Sequence, residues 1–319
     1  MLLSPLALHI PDGFLTPLVS AVGWGLALVM VAIALRQTRS QLGERQIPMM
    51  GILAAFIFAA QAINFPVAAG TSGHLMGGAL AAIVMGPWAG TLIMTTVIAV
   101  QSLLFQDGGL LVMGWNILNM GVFTAFTGYA AYKLARRLFG NHPAALIAGG
   151  FVGAWVSVEV GSIATAFELA ASQTVPLSLA LPAMAGVHAL IGLGEALITS
   201  AALRLLLVSR PQVLEIAETA PGRRGAAFVV VGLALSLAVA LFSPIASANP
   251  DGLEFVAEQQ GFLVRAAQAP FAILSGYTIP TISNVVLATI AAVAVGTIAV
   301  FGLALLVGRA ATRRQGPGD

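Results

Sequence analysis

The sequence predicts an all-α polytopic membrane protein, and three observations carry that prediction. Hydrophobic residues make up 59% of the 319-residue chain and charged residues 8%, against about a quarter charged in soluble domains. The apolar residues fall in long runs between short charged segments, and a helix needs about 20 apolar residues to cross a bilayer. There is no alternating strand pattern. A backbone in lipid must satisfy its own hydrogen bonds, so these runs are read as helices.

In order, the runs predict spans over 17–35, 48–69, 74–86, 88–106, 110–132, 144–165, 183–207, 226–246 and 283–307. The third is short and reads as tilted or partly re-entrant. Arg36, Arg39 and Arg45 follow the first span, and Lys133, Arg136 and Arg137 follow the fifth. Arg204 and Arg210 end the seventh, Arg223 and Arg224 precede the eighth, and Arg309, Arg313 and Arg314 follow the last. With alternating spans, all of these lie on one side and Arg265 lies on the other. Basic residues mark the cytoplasmic face, which places the N-terminus outside and the C-terminus in the cytoplasm of a multi-pass cell-membrane protein. Cysteine is absent, which excludes disulfides and thiolate metal sites. Met1 to Ala7 lack a basic region, and their apolar run is too short for a secretion signal.

The polar, turn-rich stretch over 209–225 reads as a cytoplasmic linker between two units. Before it lies a seven-helix unit over 9–208, with 1–8 an N-terminal extension. After it, 226–314 form a helix–loop–helix module whose outer loop contains Asn249-Pro250-Asp251-Gly252-Leu253-Glu254, turn residues feeding an amphipathic stretch.

Polar groups inside the spans are costly and face a cavity or a partner. His74, Glu159, His188 and Glu195 are the ionisable ones, with Gln61, Asn64, Asn116 and Asn119 beside them. The topology puts His9, Asn64, His74 and Asp107 near the outer face. Asn116 and Asn119 share one helix face three residues apart, so an outward-facing pocket is expected. His74 reads either as a structural histidine of a Gly-rich turn or as a ligand. Asn116 and Asn119 read as interhelical or ligand-supporting groups. His188 and Glu195 read as a structural pair or as transport groups, and Glu159 is a candidate partner for His188. His142 reads as a solvated loop residue, and the scattered methionines as packing. The small-residue pairs Gly23/Ala27 and Gly73/Gly77 allow close helix approach.

Several motifs in order resemble the CbiM/NikM family. They are His9-Ile10-Pro11-Asp12-Gly13, Gly70-Thr71-Ser72-Gly73-His74-Leu75, Gly77-Gly78-Ala79-Leu80 and Gly86-Pro87-Trp88. Gln106-Asp107-Gly108-Gly109-Leu110, Asn116-Ile117-Leu118-Asn119-Met120-Gly121 and His188-Ala189-Leu190-Ile191-Gly192-Leu193-Gly194-Glu195-Ala196 continue the match to about residue 207. Family members are cobalt/nickel substrate-binding (S) components of energy-coupling factor (ECF) ABC importers. Pro250-Asp251-Gly252-Leu253-Glu254 resembles the PDGLE module of the CbiN/NikN companion, here fused in one chain.

The resemblance implies capture of Co(II) or Ni(II) without catalysis. The ion would lie in a square-planar nitrogen site built from the His9 imidazole and backbone nitrogen, a terminal amine beside it, and His74. Asp12 would anchor the ligand loop, with Asn64, Asn116 and Asn119 as supporting groups. The family has Met before this histidine, whereas this chain has Leu8. A chain that begins at Leu8, read as Met, restores the amine; processing or a weakened site are the alternatives. The implied partners are a transmembrane coupling protein and a pair of ABC ATPases, with the Gly23/Ala27 face as a candidate docking surface. No Walker A motif is present, no cofactor is expected, and nothing points to nucleic acid.

Two other classes were weighed. An intramembrane metalloprotease needs His-Glu-x-x-His or an equivalent; the sequence has none, and His188 and Glu195 are too far apart to form one. A secondary divalent-metal transporter would couple through Glu159 and Glu195.

Overall fold

The computed structural model describes residues 9–43, 46–209, 223–267, 271 and 273–312. Residues 1–8, including Leu8, and most of the expected linker over 209–225 lie outside the described residues. Proline stands in the first turn of four helices, where its missing N–H costs nothing: α1 (Pro17–Gln41), α2 (Ile47–Gln61), α4 (Pro87–Val100) and α7 (Pro143–Ala171). Between α2 and α4 lie strands β1 (Phe65–Pro66) and β2 (Ser72–Gly73), paired antiparallel, and the short helix α3 (Gly78–Met85). A π-helical turn, Gln101–Phe105, extends α4. Helix α5 (Met113–Asn116) runs through a second π-helical segment, Ile117–Phe123, into α6 (Thr124–Phe139). The long α8 (Leu177–Ser209) completes the first unit. The second unit has α9 (Arg223–Ala240), the loop helix α10 (Gly252–Gln259) and α11 (Val285–Thr312).

Among the described residues, six helices are long and apolar enough to cross a membrane: Pro17–Arg39, Pro87–Phe105, Pro143–Ala171, Leu177–Val208, Ala227–Ile245 and Val285–Thr312. The chain is therefore an all-α, multi-pass membrane protein. Two of the expected spans need correction. The second ends as a helix at Gln61, well short of residue 69. The third is not a helix over 74–86: only Gly78–Met85 is helical, about 12 Å long against a hydrocarbon core of about 30 Å. Residues 71–75, ahead of α3, are non-helical and buried. Such backbone is tolerated at membrane depth when protein covers it.

The second unit packs on the first through α2, which both α9 and α11 touch. Small residues set the approach: Gly51 faces Phe301, Gly232 faces Ile52, and Gly296 faces Phe58. The Gly23/Ala27 face is not free for a partner. Gly23 lies under the Trp115 ring, and Ala27 is fully buried. Gly73 and Gly77 lie in the non-helical segment and do not form a helix-packing pair.

Candidate metal centre

His9 stands in a loop held to the segment before α5 by side chains acting on backbone. The Asp12 carboxylate accepts from the N–H groups of Leu110 (3.1 Å), Leu111 (2.8 Å) and Val112 (3.2 Å). A Cβ on Gly109 would overlap Asp12, so this approach needs glycine. Asn116 brackets the residue after His9: its Oδ1 accepts from Ile10 N–H at 3.2 Å and its Nδ2 donates to Ile10 C=O at 3.1 Å. His9 Nδ1 donates to the Asp107 carbonyl at 3.0 Å and lies 3.3 Å from that residue's Oδ1. Its Nε2 is buried with no hydrogen-bond partner.

His74 follows β2 and is also buried. Its Nδ1 donates to Leu75 C=O at 3.0 Å. Two residues on, Glu195 reaches from α8 to accept from Met76 N–H (2.6 Å) and Gly77 N–H (3.0 Å), and Gln61 Nε2 donates to Met76 C=O (2.9 Å). These contacts bring the two imidazoles to 5.3 Å between ring centres, at 87°. They line a cavity of about 60 Å³ together with Asn116, Asn119, His188, Asp251 and the methionines Met76, Met120 and Met184. Asn119, in the second π-helical segment, donates to Glu168 Oε2 at 3.0 Å and Thr165 Oγ1 at 3.2 Å. Such π-helical turns concentrate at functional sites.

The loop between α9 and α11 closes over both histidine-bearing segments. Ser72 donates from its N–H to Pro250 C=O and from its Oγ to Asn249 C=O, both at 2.8 Å. Ala267 N–H donates to Asp12 C=O at 2.7 Å. Tyr277 stacks on Phe105, 4.7 Å between ring centres, and its hydroxyl donates to Asp107 Oδ2 at 2.5 Å. Burial, with the Asp107 carboxylate adding to it, holds the Tyr277 phenol well above its usual range, so it remains a donor. Asp251 caps α10 by accepting from Glu254 N–H at 2.7 Å.

His9, His74, Asn116, Asn119 and His188 thus converge, and Asp12 anchors the loop. Asn64 is not on the cavity wall; its carbonyl accepts from Ser247 N–H at 2.8 Å. Glu159 has a buried oxygen without a partner, and no ion pair joins it to His188 among the described residues. Glu195 does not pair with His188, because its oxygens bond the backbone after His74. His142 is exposed and caps α7, accepting from Ala145 N–H. Sequence reasoning placed Asp107 near the pocket without a role, and missed Glu168, Asp251 and Tyr277 as parts of the site. Asp251 had a signal, the Pro-Asp-Gly turn ahead of an amphipathic run; Tyr277 had none. Among the described residues no cluster of three or more His, Cys, Asp or Glu side chains is set to hold one ion.

Residues 9–213 match the CbiM model, described as the cobalt uptake substrate-specific transmembrane region. This chain belongs to the CbiM family. Residues 226–313 match the PDGLE domain, so the second unit is a fused PDGLE module. A cobalt transport protein CbiM of Sorangium cellulosum is 34% identical over 224 residues, covering 67% of this chain and 99% of that one. A fused nickel transport protein NikMN of Rhodobacter capsulatus is 32% identical over 221 residues, covering 65% and 64%. A truncated transition metal transporter of known crystal structure superposes with a TM-score of 0.56 at 32% identity, over 63% of this chain and 98% of that one. The CbiM-type unit therefore carries both histidines, and the PDGLE module carries the loop that covers them.

Proposed function

We propose that this CbiM-family chain is the substrate-binding component of an ATP-driven importer that captures Co(II) or Ni(II) between His9 and His74 on the outer side of the membrane. The observation that supports it is the imidazole pair. Two imidazoles bound to one ion at about 2 Å each have ring centres roughly 4.5–6.5 Å apart, and these stand 5.3 Å apart on a cavity whose His9 Nε2 has no other partner. Imidazole nitrogen suits Ni(II) and Co(II), and the His74 Nδ1–H given to a carbonyl fixes that ring and raises its basicity. The remaining two nitrogens of a square-planar set are the His9 backbone nitrogen and an amine at position 8. A chelate using the backbone nitrogen and the ring of one histidine closes only through Nδ1, so forming it turns the His9 ring away from Asp107. The energy source is a pair of ABC ATPases working through an ECF-type coupling protein.

A carboxylate-coupled secondary transporter is less well supported, because Glu195 is committed to the backbone of the His74 segment. Calorimetric titration of the full chain with Ni(II) tests the site. His9→Ala and His74→Ala are each expected to weaken binding by more than about a hundredfold, beyond the cost of losing an outer-shell partner. Wild-type affinity in either variant sinks the reading. Uptake that persists without the ATPases yet collapses in Glu195→Gln would favour the secondary transporter.

A further inference from the structure

The cavity holds a third imidazole that the capture site does not use. His188 lies on the same wall as His74, in a membrane-spanning helix, where an ionisable side chain is costly and marks a pathway or a partner. Its Nδ1 donates to Met184 C=O at 2.7 Å. A carbonyl oxygen only accepts, so the hydrogen sits on Nδ1 and the lone pair on Nε2. His74 is arranged the same way, with Nδ1 on the Leu75 carbonyl. Metal-ligating histidines almost always carry this outer hydrogen bond, because it fixes both tautomer and ring orientation. A histidine serving only to hold helices together has no need to keep Nε2 free, yet no hydrogen bond to His188 Nε2 is found among the described residues.

The surroundings fit a ligand. The PDGLE loop brings Gly252 so close that a Cβ there would overlap His188 Cε1 and Nε2, so glycine leaves the ring's ligand edge uncovered by a side chain. Asp251, one residue earlier, lines the same cavity and supplies negative charge when ionised. His188 lies within electrostatic range of His74. The three histidines do not close on one ion together, since no such cluster exists among the described residues. They offer two overlapping pairs.

Resting on the His9–His74 reading, we propose that His188 supplies a second position for the transported ion, which passes from the His9–His74 pair to a His74–His188 pair with His74 as the shared ligand. The transfer breaks the bonds to the His9 imidazole, its backbone nitrogen and the neighbouring amine and forms one to His188 Nε2; the backbone nitrogen, deprotonated while it binds the ion, regains a proton from water, and the metal keeps its oxidation state. Such an exchange moves the ion off the chelating His9 end without releasing it to water.

The test is Ni(II) titration of the full-length chain in detergent, with the Co(II) ligand-field spectrum read in parallel. In His9→Ala, a weak site is expected to remain, more than about a hundredfold below wild type. His9→Ala/His188→Gln is expected to lose that residual site by a further tenfold or more, on the order of one outer ligand, and to change the Co(II) bands. Equal residual affinity and unchanged bands in His9→Ala and the double variant overturn the proposal. Wild-type affinity in His9→Ala instead overturns the His9 reading, so the two failures are distinct. Thermal melting of each variant reports the fold, and His188→Asn gives a second removal of the imidazole if the glutamine variant melts early.

Discussion

Asp12 does not touch the cavity, yet it decides where His9 stands. Its two oxygens collect three backbone N–H groups from Leu110 to Val112, and hydrogen bonds to a charged acceptor are each worth about 1.5–3 kcal/mol. Asparagine keeps one acceptor oxygen and turns an NH₂ toward a donor that needs an acceptor. Asp12→Asn is therefore expected to weaken Ni(II) binding by about 10- to 100-fold with helix content unchanged, checked by titration beside circular dichroism. The role of Asp12 was legible from its place in the His9-Ile10-Pro11-Asp12-Gly13 segment. Asp107 and Tyr277 were not: a residue that orients a ligand across 98 or 170 positions of chain leaves no local pattern. Glu195 was visible as an intramembrane carboxylate, but its partner was misassigned to His188, because spacing along one helix cannot show a bond to another segment's backbone.

At the scale of elements, the reading succeeded where a helix is long and uniformly apolar, as in α1, α7 and α11, and failed where two requirements compete. The 71–85 segment must both pack within the protein and present His74 to a cavity. A continuous helix would bury that face among its neighbours, so the chain runs extended before α3. Hydropathy alone cannot distinguish the two, since both are apolar. Helix α10 supplies a test of its own. Burial raises Asp251 well above the usual carboxylate range, with the Glu254 and Asp107 charges adding to the rise and the Glu254 N–H opposing it. A raised acid contributes stability below its unfolded value of about 3.9, and that contribution is lost as pH rises through the raised value. Asp251→Asn caps a helix equally well without the charge. It is expected to melt higher than wild type at neutral pH and to lose this part of the pH dependence, whereas Asp251→Ala forfeits about 1 kcal/mol of capping. Melting curves in detergent at several pH values decide between these outcomes.

For the whole molecule, the PDGLE module is more than an appended pair of spans. Its helices lie against α2, and its loop bonds Ser72, Asp12 and Asp107, touching each part of the ligand frame. The four bonds, two of them from Ser72, at about 1 kcal/mol each predict that a chain ending at Ser209 binds Ni(II) up to about a thousandfold more weakly than the full chain. Equal affinity in the two would show that the loop covers the site without organising it.

The sequence by itself determined the membrane class and the family, because composition and short motifs record the solvent and the local chemistry. Only the tertiary structure decided how His74 reaches the cavity, that Asp107 and Tyr277 hold His9, and that His188 lies on the same wall. Those are contacts between segments far apart in the chain, and they exist only once packing across helices has set the distances.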